Sequence, residues 1–117
     1  TMQSLDCPVI TVGEGVVASM AAVILACGDH RQVYRHTQVL IHQLMGGMGM
    51  AQQTDIEIVA QHTAAMRAEL DELLAEHGNL SAQEFHELTE RDCWCNARRA
   101  LELGLVDEVI APSKKAL

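Results

Sequence analysis

Aromatic side chains, cationic side chains and long apolar runs are all scarce in this chain of 117 residues. One Phe, one Tyr and one Trp are too few to build the stacking platforms that bind single-stranded nucleic acid. Eight basic side chains stand against sixteen acidic ones, and the net charge of −8 argues against nucleic acid or an anionic membrane as a partner. The longest apolar run, residues 16–27, is interrupted by Ser19 and is too short to cross a bilayer.

The four cysteines lack the spacing of a zinc or thioredoxin-like site. Cys27 lies in the apolar run and is expected to behave as a small buried hydrophobe. Cys93 and Cys95 are separated by one residue, which does not favour an internal disulfide. A metal site that joins them to His86 is the less favoured alternative. Reduced thiols, together with the lack of a recognisable signal peptide, predict a cytoplasmic protein with no metal.

The amino-acid composition is that of a domain that folds, since 49% of the residues are hydrophobic. Its length predicts a single domain over residues 1–117 with one modest core. Apolar runs, helical spacing and turn residues predict an α/β layered fold. The expected elements, in order, are a strand at 7–12, a buried helix at 18–27, strands at 32–35 and 38–41, helices at 54–77, 81–91 and 96–103, a strand at 105–110 and a frayed tail at 111–117.

Helix starts are marked by capping patterns. Thr54 with Glu57, and Ser81 with Glu84, fit the capping box in which side chain and backbone groups satisfy each other. Asn96 is expected to cap the short helix that follows it. The long helix carries apolar or neutral residues at spacings of three and four, which predicts one continuous stripe along it. The stripe consists of Ile56, Val59, Thr63, Met66, Leu70 and Leu73.

Ser19, His42 and Asp92 are the candidate catalytic residues. A serine activated by an imidazole, which is itself oriented by a carboxylate, is a common route to acyl transfer. Ser19 precedes an apolar helix, so a simple N-cap is the alternative interpretation. The free N–H groups at such a helix start, that of Met20 first, can also stabilise an oxyanion.

The case for the other two members rests on position. His42 is one of six histidines, but it stands where a predicted strand meets a glycine-rich loop, and such a residue can be held rigidly beside an open cleft. Asp92 is expected at the end of a helix, where a carboxylate is mildly unfavourable, and this hints at a role in orienting His42. The alternatives are a surface histidine and a solvated acid.

Several short segments stand out by their order along the chain. They are Thr-Met-Gln at 1–3, Ala-Ser-Met-Ala at 18–21, Ile-His-Gln at 41–43 with Gly-Gly at 46–47, Thr-Asp-Ile-Glu-Ile at 54–58, Thr-Glu-Arg-Asp at 89–92 and Gly-Leu-Val-Asp at 104–107. Together they resemble the proteolytic subunits of Clp proteases, the ClpP family of serine peptidases. The resemblance implies a crotonase-like fold and a serine endopeptidase that cleaves unfolded proteins. It assigns Ser19 as nucleophile, His42 as general base, Asp92 as its orienting partner and the Met20 N–H as oxyanion donor.

The resemblance also implies an assembly of two stacked heptameric rings of identical subunits. Residues 42–78 would then form the handle where the rings meet, and contacts between subunits would involve Gln52, Thr54, Glu90 and Arg91. An AAA+ unfoldase would deliver substrates and consume the ATP, because no phosphate-binding loop is present in this sequence. The chain itself would need no cofactor.

The N-terminal part of the usual ClpP domain has no counterpart in this sequence. That part carries the unfoldase contact surface and the second oxyanion donor, so we expect a fragment with weak or no peptidase activity by itself. The main alternative is a truncated or non-catalytic ClpP-like subunit with a role in assembly. An acyl-CoA enzyme of the crotonase superfamily and a small helical interaction module are further alternatives.

Overall fold

The computed structural model describes residues 1–111. Within them, the chain alternates short strands with helices after a 3₁₀ turn at Met2–Ser4. In chain order the elements are β1 (Ile10–Gly13), β2 (Val16–Ala18), α1 (Met20–Ala26), β3 (His30–Tyr34), β4 (Gln38–Ile41), α2 (Gln53–His77), α3 (Ala82–Leu88), β5 (Cys93–Asn96), α4 (Ala97–Glu102) and β6 (Glu108–Ile110). This order confirms the α/β class and is inconsistent with a small helical module.

The strands form two sheets of three strands each. In the first, β3 lies between β1 and β6, and both neighbours run parallel to it. In the second, β4 lies between β2, which is parallel, and β5, which is antiparallel. Because β2 and β4 are parallel, their carboxyl ends meet at the same edge of the sheet.

The core lies where the two sheets meet α1, α3, α4 and the end of α2. Helix α1 buries Ala22, Leu25 and Ala26 against it. Fully buried larger side chains come from β3, β4, α3 and the segment after α4: Val33, Val39, Phe85, Leu103 and Leu105. None of the helices in residues 1–111 has the length and apolarity needed to span a membrane.

A buried arginine joins several elements. Arg31 lies near the start of β3, the central strand of the first sheet, and is 8% exposed. It donates to Asp107 from Nη2 to Oδ1 at 2.6 Å and from Nε to Oδ2 at 3.0 Å. The third nitrogen, Nη1, donates to the carbonyl oxygens of Ala26, His77 and Gly104. The hydrogen bond from Arg31 holds the pKa of the Asp107 carboxyl below its ordinary value. One guanidinium therefore connects the ends of α1 and α2, the turn after α4 and the residue that precedes β6.

Several local predictions are confirmed. Strand β4 covers the predicted residues 38–41, and α2 ends at His77 as predicted. At the start of α3, the Glu84 N–H donates to Ser81 Oγ at 3.1 Å and the Ser81 N–H donates to Glu84 Oε2 at 2.8 Å, which is the predicted capping box. Asn96 caps α4 by accepting from the Arg99 N–H at 2.8 Å.

The capping box predicted at Thr54 is wrong. Helix α2 begins at Gln53, its N-cap is Gln52, and no side-chain hydrogen bond caps it. Of the stripe predicted on this helix, Thr63, Leu70 and Leu73 are partly buried, and the fully buried residues of α2 are Asp71 and Leu74. Ile56 and Val59 are exposed because the first half of α2 stands clear of both sheets.

The region around Asp92 also differs from the prediction. Helix α3 ends at Leu88, not at residue 91, so Asp92 does not lie at a helix end and the argument from the helix dipole fails. The next residues form strand β5, which was not predicted, since Cys93–Asn96 has no alternating pattern of its own. Strand β2 was missed because Val16–Ala18 continues directly into the apolar helix.

Helix α1 is less buried than its all-apolar sequence predicted. Met20 and Ile24 are about half exposed, as are Ile10 and Val12 on the neighbouring strand. Strand β6 is shorter than predicted and covers only its last three residues, Glu108–Ile110. Most of the predicted frayed tail, residues 112–117, lies outside the described residues.

Candidate active site

Ser19 stands at the carboxyl end of β2, beside the end of β4. The register pairs Ala18 with Leu40, and the Ser19 N–H continues it by donating to the Leu40 carbonyl at 3.0 Å. His42 follows β4 directly, so Ser19 and His42 leave two adjacent parallel strands at one edge of the sheet. They are staggered by a single residue in this register.

Asp92 reaches the same edge from the other side of β4. Strand β5 runs antiparallel to β4, and its first pair is Ile41 with Cys93. Asp92 directly precedes β5 as His42 directly follows β4, so the two residues leave adjacent strands at the same edge of the sheet. The central strand of the sheet therefore carries the histidine, with the serine on one neighbour and the aspartate on the other.

The backbone of Ser19 is strained. Its φ of 61° and ψ of −127° make it the only residue other than glycine with positive φ in the described part of the chain. Such a conformation costs about 1–3 kcal/mol for an L-residue and is concentrated at functional sites. Here it reverses the chain between β2 and α1, at the point where the hydroxyl leaves the sheet edge.

The simple N-cap interpretation of Ser19 is not supported. Ser19 does occupy the N-cap position of α1, but its hydroxyl makes no capping hydrogen bond. The Ser19 carbonyl accepts from the N–H groups of Ala22 and Val23, at 3.0 and 3.3 Å. The Met20 N–H, by contrast, has no acceptor within residues 1–111, which leaves it free to face a developing negative charge.

His42 is half-buried and already holds a defined tautomer. Its Nδ1 lies 2.5 Å from the carbonyl oxygen of Gln43. Because a carbonyl only accepts, Nδ1 must carry the proton, and Nε2 of the neutral ring is then the acceptor that a general base requires. Among the described residues, neither Ser19 nor Asp92 makes a hydrogen bond to His42. The three residues are gathered at one edge, but they are not connected.

Two cavities adjoin at this edge, and His42 lines both. The first, of about 320 Å³, also contains Ser19 and lies between α1 and α2. The second, of about 510 Å³, also contains Asp92 and the turn before it. Four further residues line both cavities: Gln43, Leu44, Met45 and Thr89. The histidine thus separates the nucleophile side of the edge from the aspartate side.

Comparison with known proteins gives a consistent answer. The family model described as Clp protease matches residues 1–113. The chain belongs to the Clp protease family. It is 40% identical over 116 residues to the ATP-dependent Clp protease proteolytic subunit of Streptococcus sanguinis, covering 97% of this chain and 59% of that protein. It is 38% identical over 113 residues to the subunit of the same name from Lactococcus lactis subsp. cremoris, covering 94% and 57%. The corresponding protein of Porphyromonas gingivalis is 35% identical over 117 residues, covering 98% and 52%.

These values confirm the ClpP resemblance and, with the two sheets and their helices, the ClpP-like fold. The chain spans somewhat more than half the length of the curated relatives it matches.

Arg67 connects the segments that carry His42 and Asp92 in this Clp protease chain. Its Nη1 donates to Gln43 Oε1 at 2.9 Å, and its Nη2 donates to the His86 carbonyl and to Glu90 Oε2, both at 3.1 Å. Gln43 in turn donates from Nε2 to the Glu90 carbonyl at 3.0 Å. The hydrogen bond from Arg67 lowers the pKa of the Glu90 carboxyl. Sequence reasoning missed this residue; its signal is that Arg67 is the only Lys or Arg on α2.

A second pair missed by sequence reasoning lies one turn further along α2. Asp71 is 5% exposed, and its Oδ2 lies 2.7 Å from Nδ1 of His86 on α3. Asp71 also lines the first cavity together with Ser19 and His42. Aspartate is rarely buried, and nothing in the sequence marks this one, because its burial against α3 is visible only in the structure.

The residues predicted for contacts between subunits are placed on the surface. Gln52 and Thr54 lie at the start of α2, Thr54 being exposed. Glu90 is engaged within its own chain by Arg67, while Arg91 is exposed and forms no ion pair within residues 1–111. No such contact is tested by a single chain, and these assignments stay predictions.

The cysteines are free thiols in this structure. Cys93 and Cys95 point to the same side of β5, with their sulfur atoms 3.7 Å apart. Burial raises the pKa of Cys95 to about 12, with the neighbouring Cys93 adding to the shift. Cys27 is half-buried rather than fully buried, and burial raises its pKa as well. In residues 1–111 no three His, Cys, Asp or Glu side chains are grouped closely enough to hold a metal ion.

Proposed function

We propose that this chain carries the catalytic segment of a serine endopeptidase that hydrolyses peptide bonds of unfolded polypeptides. The observation that carries this proposal is the convergence of Ser19, His42 and Asp92 on one edge of the second sheet. The strained backbone of Ser19 supports it, because strained residues are concentrated at functional sites. Membership of the Clp protease family supports the same reaction class.

The proposed mechanism begins with Ser19 Oγ attacking the carbonyl carbon of the scissile bond. His42 Nε2 takes the hydroxyl proton and then gives it to the leaving amine. Water then attacks the acyl carbon while His42 Nε2 accepts its proton, and Ser19 Oγ leaves with that proton as the acyl group is released. The Met20 N–H stabilises the oxyanion. The imidazolium formed on the way needs a carboxylate, so we propose that the ring turns from the Gln43 carbonyl toward Asp92 in the active arrangement.

The reactivity of Ser19 can be tested with a fluorophosphonate probe, which forms a bond from Oγ to phosphorus and releases fluoride. We predict labelling of the chain that is lost in Ser19→Ala and kept in the matched control Ser4→Ala, an exposed serine outside the site. His42→Ala should slow labelling by about 100-fold or more, because the proton acceptor is removed. Turnover of a fluorogenic peptide should be weak, since the Met20 N–H is the single oxyanion donor proposed within residues 1–111.

One observation favours a second candidate, a non-catalytic ClpP-like subunit with a role in assembly. His42 is bound to its own neighbour Gln43 and not to Asp92 or Ser19. If the probe labels other serines but never Ser19, this second candidate replaces the first. Robust Ser19-dependent peptide turnover would instead contradict only the expectation of weak activity.

We further propose that the chain acts within a homo-oligomer of stacked rings and receives substrates from an AAA+ unfoldase that hydrolyses ATP. The names of its relatives, which describe an ATP-dependent protease, support this. So does the exposed apolar surface on the first half of α2, which a solvated helix would not need. In this proposal the subunit contacts involve Gln52, Thr54, Glu90 and Arg91, and the chain itself binds no cofactor.

A further inference from the structure

We propose that Asp71 makes the cavity beside Ser19 selective for a cationic side chain, that of lysine or arginine, on the acyl side of the scissile bond. This inference rests on the proposed function, because it names the substrate that the same site would accept. It starts from the position of Asp71, a carboxylate that is 5% exposed and lines the cavity together with Ser19 and His42.

The carboxylate has one oxygen to spare. Oδ2 lies 2.7 Å from His86 Nδ1, which approaches from α3. Oδ1 receives no hydrogen bond from any residue of the described part of the chain. Oδ1 is not among the fully buried side-chain atoms that lack a partner in residues 1–111, so it is accessible, and a cationic donor that enters the cavity can form a charge-assisted hydrogen bond with it.

The remaining walls suit the stem of a long side chain. Most of them are apolar, namely Met20, Val23, Ile41, Leu44, Leu70 and Leu74; Gln43, Arg67 and Thr89 also line the cavity. The volume of about 320 Å³ is ample for an unbranched chain of four methylenes. Lysine and arginine combine such an apolar stem with a charged head, and they bury the stem where the head finds a partner. Apolar walls with a carboxylate among them therefore match this side-chain class.

Neighbouring cations leave Asp71 available. Arg67 also lines the cavity one helical turn earlier, but both of its Nη atoms are engaged, by Gln43, the His86 carbonyl and Glu90. Its Nε is buried and makes no hydrogen bond to Asp71 or to any other residue of the described part of the chain. Its charge is therefore paired with Glu90. The His86 ring is almost half exposed and belongs to the opposite helix, and it is absent from the cavity lining.

The test compares two peptidyl diphenyl phosphonates that differ only at the side chain next to phosphorus, lysine or norleucine. Each forms a bond from Ser19 Oγ to phosphorus and expels phenol, so the rate needs no turnover. We expect lysine to react about 10–100 times faster, which is the worth of a charge-assisted hydrogen bond. Asp71→Asn should abolish that ratio, since the amide still accepts from His86 but carries no charge.

Glu72→Gln is the matched control, because it removes the same charge from the next residue of α2, which is exposed and does not line the cavity. It should leave the ratio unchanged. Equal rates for the two phosphonates, or a lysine preference that survives in Asp71→Asn, would overturn the inference.

Binding of Nα-acetyl-lysine methylamide, with the norleucine amide as reference, keeps the inference falsifiable if no phosphonate reacts. The binding can be followed by chemical shifts of α2 amide groups. Lysine binding that Asp71→Asn removes, together with an unreactive Ser19, would mean that the cavity is selective but the peptidase proposal is wrong. Reaction at Ser19 with no lysine preference in rate or binding would mean that the peptidase proposal holds but the cavity is not selective.

Discussion

At the scale of single residues, the backbone conformation of Ser19 suits its proposed function but lowers the stability of the fold. A φ of 61° with a ψ of −127° is a conformation that glycine adopts freely and serine does not. The neighbouring structure imposes it, because the Ser19 N–H must reach the Leu40 carbonyl while the Ser19 carbonyl already starts α1. The hydroxyl is thereby carried to the sheet edge next to His42, at a cost in conformational energy.

Replacing Ser19 by glycine should therefore stabilise the fold. We predict that Ser19→Gly raises the free energy of unfolding by about 1 kcal/mol, the relief of strain less the greater flexibility of an unfolded glycine. Ser19→Ala, which keeps the Cβ, should leave stability within about 0.5 kcal/mol of the parent chain. Urea unfolding of the three chains at pH 7 measures the difference. Equal stability of the glycine and alanine variants would mean that the backbone at Ser19 is not strained.

At the scale of elements, the chain is tied together by polar groups as well as by its core. Arg31 links β3 to the ends of α1 and α2 and to the segment before β6. Arg67 links α2 to the loop after β4 and to the turn before β5. Each guanidinium offers several donors in a fixed fork, so a single residue can fix the relative position of three elements.

The Arg31–Asp107 contact makes a prediction for the pH dependence of stability. Because the hydrogen bond from Arg31 lowers the pKa of Asp107 from 3.8 in the folded state, folding favours the ionised carboxyl. Its contribution is fully present above about pH 4 to 5 and is lost as the pH falls through the folded pKa. Asp107→Asn should cost about 1–3 kcal/mol at pH 7 and progressively less below pH 4.

Urea unfolding of the parent chain and Asp107→Asn at pH 7, 5 and 3 measures this difference. Asp6→Asn, an exposed aspartate before the first strand, is the control and should cost little at any of these pH values. A difference for Asp107→Asn that stays constant down to pH 3 would contradict the proposed role of the ionised carboxyl.

At the scale of the whole molecule, the described part of the chain is elongated, with principal extents of 64 × 30 × 25 Å. The first half of α2 contributes an apolar stripe formed by Ile56, Val59, Thr63 and Met66. Three of these side chains are more than 40% exposed: Ile56, Val59 and Met66. A stripe of this kind at helical spacing is typical of a face that packs on a partner.

If this stripe mediates assembly, a charge placed in it should weaken self-association. We predict that the parent chain sediments as a dimer or larger species, and that Val59→Glu raises the dissociation constant at least about tenfold, because a carboxylate would be buried without a partner. Gln61→Glu adds the same charge to the opposite face of α2 and should have little effect. A parent chain that sediments as a monomer at about 100 μM would contradict assembly through this face.

The local signals in the sequence identified most elements and all three candidate catalytic residues. Two helix starts were predicted correctly from Ser81 with Glu84 and from Asn96, because capping depends on residues only three positions apart. The same pattern at Thr54 gave a wrong prediction, because residues that can form a capping box do not always form its hydrogen bonds. The identity of Ser19 as a candidate depended on its neighbours in sequence, which are equally local.

What only the tertiary structure decided is how distant segments pair. Strand β5 exists because it is held by β4, and this pairing brings Asp92, the residue before β5, to the sheet edge where His42 follows β4. The strain at Ser19, the links made by Arg67 and the carboxylate of Asp71 beside the serine arise in the same way. The sequence by itself determined which residues could do chemistry, because side-chain identity and helix starts are local. The fold decided which of them meet, because register and burial depend on contacts between residues far apart in the chain.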